Sequence, residues 1–518
     1  MRILKNIAID LSSVGDLARV AARELGVGVE AVAGVDVLRR SIDARGRHPH
    51  LVMTLRVRFP GDPPLPSDPL TPITTPVVAR RDKRVVIVGT GPAGLFAALR
   101  FADAGVPVVV LERGAALAER HKRARLLRAE RILDPESNLC FGEGGAGTYS
   151  DGKLYTRKSS PRVREVYERL VRYGADPSIL VDAHPHVGTN RLIPLIEALR
   201  ADLLGRSIDL RFDTRMEGLE IRDGRVRAVE TWSDGAGSGS IPADAVILAT
   251  GHSARDTYAR LAALGVAMAP KAFAVGARVE HPQALIDRIQ LGTAAGHPAL
   301  GAAEYFLACQ VGPRGVYSFC MCPGGFVIPT PTELGHLNVN GMSNASRKNY
   351  FANAALVSTV SPEDFATRGD PLEGLAFQRQ IERAAFEVGG GDYSAPATRL
   401  TDFAAGRGST TLPSRTSYRP GLTPADIRDV LPPAISAAIA EALGTFERRM
   451  RGYLTSEAVI VAAETTTSSP IRVLRGDDLQ STTVRGLYPT GEGAGYAGGI
   501  VSSAIDGMVV AERILAEA

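Results

Sequence analysis

The chain has 518 residues, 45% of them hydrophobic and 22% charged, with 60 basic against 56 acidic side chains and a net charge of +4. That length exceeds one compact core and predicts two or three domains of ordinary globular composition. A basic stripe for nucleic acid, a disulfide framework (four cysteines), a membrane-length apolar run and an apolar signal core after Met1 are all missing, which predicts a cytoplasmic protein.

Taken in chain order, residues 3–9 read as a strand, 14–25 have helical apolar spacing, and 29–42 and 50–59 read as strands. The last is apolar at Val52, Leu55, Val57 and Phe59. Residues 1–59 therefore form a small α+β module, followed by a proline-rich linker at 60–82. A buried strand at 83–89, a helix and a strand at 106–111 open a βαβ unit. The basic run 120–131, interleaved with Leu126, Leu127 and Ile132, reads as a solvated helix face. Residues 209–250 read as a meander of short strands with turns at Asp223-Gly224 and 233–240. Residues 270–360 are strand-rich, 372–450 helical with loops, and the chain returns to a strand at 486–489 and a helix at 500–516. The fold class is α/β: a first βαβ whose closing strand and helix lie at the far end of the sequence predicts one Rossmann-like domain at 83–270 and 455–518, with a large β-rich/α+β insertion at 271–454.

The strongest motif is Gly89-Thr-Gly91-Pro-Ala-Gly94, after a strand and opening a helix. Gly89 permits the tight turn, Gly91 lets backbone approach a pyrophosphate, and Gly94 lets the helix pack on the strand. Pro92 suits a first helical position, and the helix N-terminus faces the phosphates. Glu112, near the expected separation of about 20 residues, is placed to accept from a ribose hydroxyl and to repel a 2′-phosphate. This fingerprint fits NAD or FAD. Two further glycine loops favour FAD: Cys140-Phe-Gly-Glu-Gly144-Gly145-Ala146-Gly147, continuing to Lys153, and Gly491-Glu492 through Gly498-Gly499-Ile500. Glu492 is a candidate for the ribityl hydroxyls, and Gly498, Gly499 and Ile500 aim a helix N-terminus at the flavin N1/C2 carbonyl. Ala249-Thr250-Gly251 is a third approach, and Ala93, Arg113 and Met216 complete the cofactor-binding set.

With these motifs the chain resembles the glutathione-reductase-2-type flavoproteins, and among them a poorly characterised FAD-utilising dehydrogenase family. The resemblance also rests on Arg39-Arg-Ser-Ile-Asp-Ala-Arg45, His184-Pro-His-Val-Gly-Thr189, Tyr317-Ser-Phe-Cys-Met-Cys-Pro-Gly-Gly325, Asn340-Gly-Met-Ser343 and Ser468-Ser-Pro470. It implies non-covalent FAD, a ferredoxin-like N-terminal module and an inserted substrate domain. Two places differ from the family wording: Thr466, where an arginine is expected, and residues 344–350. If they line the substrate pocket, they imply a specialised substrate.

By the same resemblance the strand at 315–325 is the wall facing the flavin ring. Cys320 and Cys322, two apart, share one face of a regular strand and are read as buried thiols, as a thiol near the flavin, or as metal ligands. No histidine cluster supports metal, so none is expected. His184, His186 and His252 are candidate proton donors or structural hydrogen-bonding groups. The reaction expected is hydride transfer between a small-molecule substrate and flavin N5, the alternative being an oxygen-using monooxygenase. No second Gly-x-Gly-x-x-Gly follows a strand, so electrons are expected from substrate, a redox partner or transient NAD(P)H. A third reading, an RNA-modifying or RNA-binding flavoprotein, rests on Arg39, Arg40, Arg45 and Arg47.

Overall fold

Val85-Val-Ile-Val88 is buried along its whole length, so it can only be an interior strand. In the computed structural model, which describes residues 1–46, 48–63, 70–156, 159–206 and 208–517, it is the centre of a five-stranded parallel sheet. The sheet order is Leu487–Pro489, Ala245–Leu248, Val85–Val88, Val109–Leu111, Asp209–Arg211. All five strands end at the same edge, where ligands of open α/β sheets bind. The second strand starts at Val109 rather than 106. Of the expected meander, the first and last strands belong to this sheet. Only Thr214–Arg222, Arg225–Ser233 and Gly237–Pro242 form an antiparallel three-stranded unit.

A seven-stranded sheet carries the middle of the chain. Its order is Ala308–Val311, Arg314–Cys322, Phe351–Val360, Phe273–Pro282, Val459–Glu464, Ala395–Arg399, Leu422–Pro424. Phe273–Pro282 is buried at every position. Val459–Glu464 pairs beside it, so this sheet draws on chain beyond residue 454.

In the N-terminal unit His50–Arg58 is the middle strand, flanked by Arg2–Ile9 and Gly34–Asp43. Its buried face is Leu51, Met53, Leu55 and Val57; Val52 points the other way. The strand expected from residue 29 starts at Gly34, behind a short 3-10 turn at Val29–Ala31. Three strands and one α-helix among the described residues fall short of the six-element βαββαβ ferredoxin-like plan. The unit docks by backbone exchange: Arg40 N–H donates to Val181 O at 2.8 Å, and Ala183 N–H to Arg40 O at 2.8 Å. The Arg40 side chain pairs with Asp182 and that of Arg45 with Asp43. Arg47 lies outside the described residues, as do 64–69 of the proline-rich segment. The described part of that segment is tied down where Thr71 Oγ1 donates to Glu168 at 3.2 Å and Ala79 N–H to Leu515 O at 2.8 Å.

Candidate functional site

The helices Pro92–Asp103 and Ile500–Ala516 lie against each other, and glycine permits it. A Cβ on Gly507 would stand 2.0 Å from Ala93 O, and one on Gly491 2.9 Å from Ala93 Cβ. Their N-termini therefore open onto the same space, a cavity of about 1490 Å³ at the sheet's C-terminal edge. Single small-ligand pockets run to roughly 300–1,000 Å³, so this one has room for a long ligand and a second molecule. Gly91 and Gly498 meet no atom closer than 4.0 Å at their Cβ positions. Their missing side chains leave space for a ligand rather than for neighbouring protein.

Gly89 and Gly94 are closed instead. Gly89 has φ +106° and a Cβ position 2.3 Å from Ala249 O, while that of Gly94 lies 1.9 Å from Gly89 O. Glu112, on the cavity wall, is fully engaged: Oε2 accepts from Thr90 N–H (2.9 Å) and Oγ1 (2.7 Å), Oε1 from Gly142 N–H (2.9 Å) and Gly114 N–H (3.1 Å). It thus ties the first glycine turn to the second.

The second loop is organised by a residue that sequence patterning misplaces. Arg120, at the head of the basic run, is not solvated but has no exposed surface. Its guanidinium donates to the carbonyls of Asn138 (2.9 Å), Leu139 (3.1 Å), Gly142 (3.2 Å), Glu143 (2.5 Å) and Gly145 (3.0 Å), and sits 4.9 Å over the Tyr149 ring. The rest of that helix does face solvent at several positions, which is why the run reads as a surface. Nothing in residue spacing marks its first arginine as different.

Two more side chains that spacing does not single out hold the third loop. Tyr258 OH donates to Gly493 O at 2.6 Å and lies 3.3 Å from Gly251 O, joining the Ala249-Thr250-Gly251 turn to the segment after Gly491. Asp506 accepts from Gly491 N–H at 2.7 Å and pairs with Arg475, which lies 3.8 Å from the Tyr496 ring centre. Glu492 Oε2 accepts from Gly499 N–H at 3.3 Å, with His252 Nε2 4.0 Å from Oε1.

Across the cavity stands the large sheet. Cys320 lines the cavity, but Cys322 lies buried behind it, because strand pairing slips between Phe319 and Cys322 and Cys320 has φ +46°. The two do not share one face of a regular strand. Lys153 donates Nζ to Met321 O. Arg278 pairs with Glu464, Nη1 to Oε2 3.0 Å, yet burial pushes the Glu464 carboxyl up to about 7. Arg347, from the segment that differs in wording, reaches the wall and pairs with Asp151 and Glu304 at 2.5 Å each. Thr466 also lines it.

A family described as "FAD-dependent protein, C-terminal domain-like" matches residues 272–467, "FAD binding domain" matches 82–132, and a domain of unknown function matches 4–58. An uncharacterized protein of Clostridium beijerinckii is 38% identical over 530 residues, spanning 98% of this chain and 97% of its own. The chain belongs to this FAD-dependent protein family. Among solved structures, a geranylgeranyl bacteriochlorophyll reductase-like protein of Thermoplasma acidophilum is 11% identical, over 83% of this chain and 77% of that one, with a TM-score of 0.36. The 3-ketosteroid-delta4-(5alpha)-dehydrogenase of Rhodococcus jostii RHA1 is 13% identical, over 86% of this chain and 100% of that one, with a TM-score of 0.36. At that identity neither speaks to substrate or reaction.

For an FAD-dependent protein the residues fit the cofactor. Of the expected set, Gly89, Gly91, Pro92, Ala93, Glu112, Arg113, Gly145, Ala146, Gly147, Lys153, Met216, Ala249, Thr250, Gly251, Glu492, Gly498, Gly499 and Ile500 line the cavity. Gly94, Gly144 and Gly491 stand behind that wall as packing glycines; Gly144 would set a Cβ 2.3 Å from Thr148 Oγ1. His252 reaches the cavity, whereas His186 lies outside its wall, 3.4 Å from Ala345 O, with burial pushing its imidazole below the usual range. Among the described residues no helix is long and apolar enough to cross a membrane, and no three His, Cys, Asp or Glu side chains gather as a metal site.

Proposed function

We propose that the protein is an FAD-dependent dehydrogenase or reductase of the glutathione-reductase-2 type, holding FAD non-covalently and a small organic substrate beside it. The observation that carries this reading is the pair of helix N-termini, at Pro92 and Ile500, opening onto one cavity whose nearest positions lack side chains. Each end presents roughly half a positive charge and free N–H donors, one to a pyrophosphate and the other to the carbonyl edge of a flavin. When bound, FAD supplies two-electron chemistry, taking or returning hydride at N5.

The chain's own residues align the reactants and keep water out. Glu112 bars a 2′-phosphate from the first turn, and Glu492 takes the polyol chain. Exposed Tyr155, Phe306 and Phe319 offer apolar faces along the cavity wall to the substrate body. Lys153 offers a donor there, and Arg347, balanced by Asp151 and Glu304, offers directed N–H groups rather than net charge, favouring a substrate with a carbonyl or similar acceptor. In this reading residues 1–59 are an accessory module joined by 60–82, residues 83–270 and 455–518 bind FAD except for the strand Val459–Glu464, and that strand joins 271–454 in the substrate part. Action in the cytoplasm, with NAD(P)H or a redox protein as the second electron partner, completes it.

The test is anaerobic titration of the purified yellow protein with NADH, NADPH and a metabolite panel. Bleaching of the flavin absorbance by one of them is expected and names the reductant. Correctly folded protein that stays colourless and refuses added FAD overturns the reading. Substrate-dependent incorporation of oxygen from labelled O2 replaces it with a monooxygenase.

A further inference from the structure

The strand Arg314–Cys322 keeps register with Phe351–Val360 as far as Phe319 and regains a partner only at Cys322, opposite Asn353. Cys320 sits in the slip in a left-handed conformation, φ +46°, that non-glycine residues rarely adopt. The slip turns two cysteines toward each other. Cys322 Sγ lies 3.3 Å from the Cys320 carbonyl and within hydrogen-bond reach of the Cys320 thiol.

Two cations flank the pair. Arg278 is completely buried and places Nη2 2.8 Å from Cys320 O and 3.6 Å from Cys322 Sγ. Lys153 donates to the carbonyl of Met321, the residue between the cysteines. Asn353 Oδ1 accepts from Arg278 Nε at 2.9 Å and leaves a buried Nδ2 donor without a partner. The donation from Cys322, with Lys153 and Arg278 nearby, holds the Cys320 thiol below the usual range, while Cys322 is pushed up and keeps its proton. One sulfur thus lies on the cavity wall and the other behind it, with Lys153 and Arg278 close enough to favour a thiolate in the pair, the arrangement that thiol–disulfide chemistry uses.

We propose that Cys320 and Cys322 are a redox-active dithiol that exchanges an electron pair with the cofactor, so that the cavity stores four electrons rather than two. In the forward sense the Cys322 S–H bond breaks and an S–S bond forms. The dithiol is oxidised and the flavin reduced, receiving the electron pair and the Cys322 proton. The reverse transfer reopens the bridge. A link across one intervening residue departs from favoured disulfide geometry and is therefore easily reopened. This inference rests on FAD occupying the cavity as proposed above.

Its test is an anaerobic dithionite titration of the air-oxidised flavoprotein. Four electrons per flavin are expected for the wild type and two for Cys320→Ser or Cys322→Ser; two in the wild type overturn the dithiol. A readout without flavin uses the apoprotein, exposed to oxidised dithiothreitol, alkylated with iodoacetamide and mapped by mass. A Cys320–Cys322 bridge is expected, with Cys140 and Cys309 alkylated; free alkylation of both partners overturns it. Wild-type protein that closes the bridge yet binds no FAD supports the dithiol and brings down the flavin reading instead.

Discussion

Arginine carries five N–H donors and keeps its charge at any physiological pH, so burying one demands acceptors on every side. Arg120 meets that demand with five backbone carbonyls between Asn138 and Gly145, a stretch with too many glycines to hold its own shape. Burial alone pushes its pKa down, and the carbonyls and the Tyr149 ring offset that cost. Arg120→Met should leave those carbonyls without a donor and destabilise the protein by at least about 1–3 kcal/mol, the scale for leaving a buried acceptor unsatisfied. The expected readouts are a lower urea midpoint and loss of FAD on gel filtration. Arg120→Lys should rescue neither, because an ammonium cannot reach carbonyls spread over a guanidinium's width.

At the scale of elements, three glycines in one turn do separate jobs that their shared motif conceals. Gly94 lets a helix rest on a strand and Gly89 adopts a left-handed turn, whereas Gly91 faces open space. Gly94→Ala should therefore lower stability together with cofactor affinity. Compared as apoproteins, Gly91→Ala should unfold at the wild-type urea concentration, and it should still fail to hold FAD, because its methyl group intrudes only on the ligand. Equal losses of stability in the two variants would contradict that division. The strand–turn–helix here was readable in sequence because glycine and proline act through short-range sterics. The terminal helix Ile500–Ala516 emerged at its expected bounds for a similar reason: apolar spacing behind a glycine pair. The strand slip at Cys320 was not readable, since it depends on how Phe351–Val360 pairs alongside.

Over the whole molecule, stability responds to buried groups that must change charge on unfolding. His281, in the central strand of the large sheet, is fully buried with Nε2 2.8 Å from Tyr453 O, and burial lowers its pKa from 6.5 to about 4. Between those values the unfolded chain binds a proton that the native state refuses, so stability rises with pH across that window and is lost as pH falls through it. The contribution is of order 3 kcal/mol at neutral pH, since each tenfold change in proton affinity is worth about 1.4 kcal/mol. Urea midpoints measured from pH 7 down to about pH 4 should fall, and in His281→Gln that part of the slope should flatten.

From its order of residues alone, this chain declared a nucleotide-binding α/β fold, the backbone conformation of its glycine turns and its preference for FAD. The first two depend on contacts among neighbours in sequence, and the third on glycine loops that each carry their own local signal although they lie far apart in the chain. Which side chains brace those turns was decided only by packing: Arg120 against a loop about 20 residues on, Tyr258 against Gly493, Arg475 against Asp506. The same holds for the opposite wall, where Lys153, Arg278 and Glu464 come together from three distant segments around Cys320. A residue's charge and proton are set by its solvent and its neighbours, and those exist only once the chain has closed on itself.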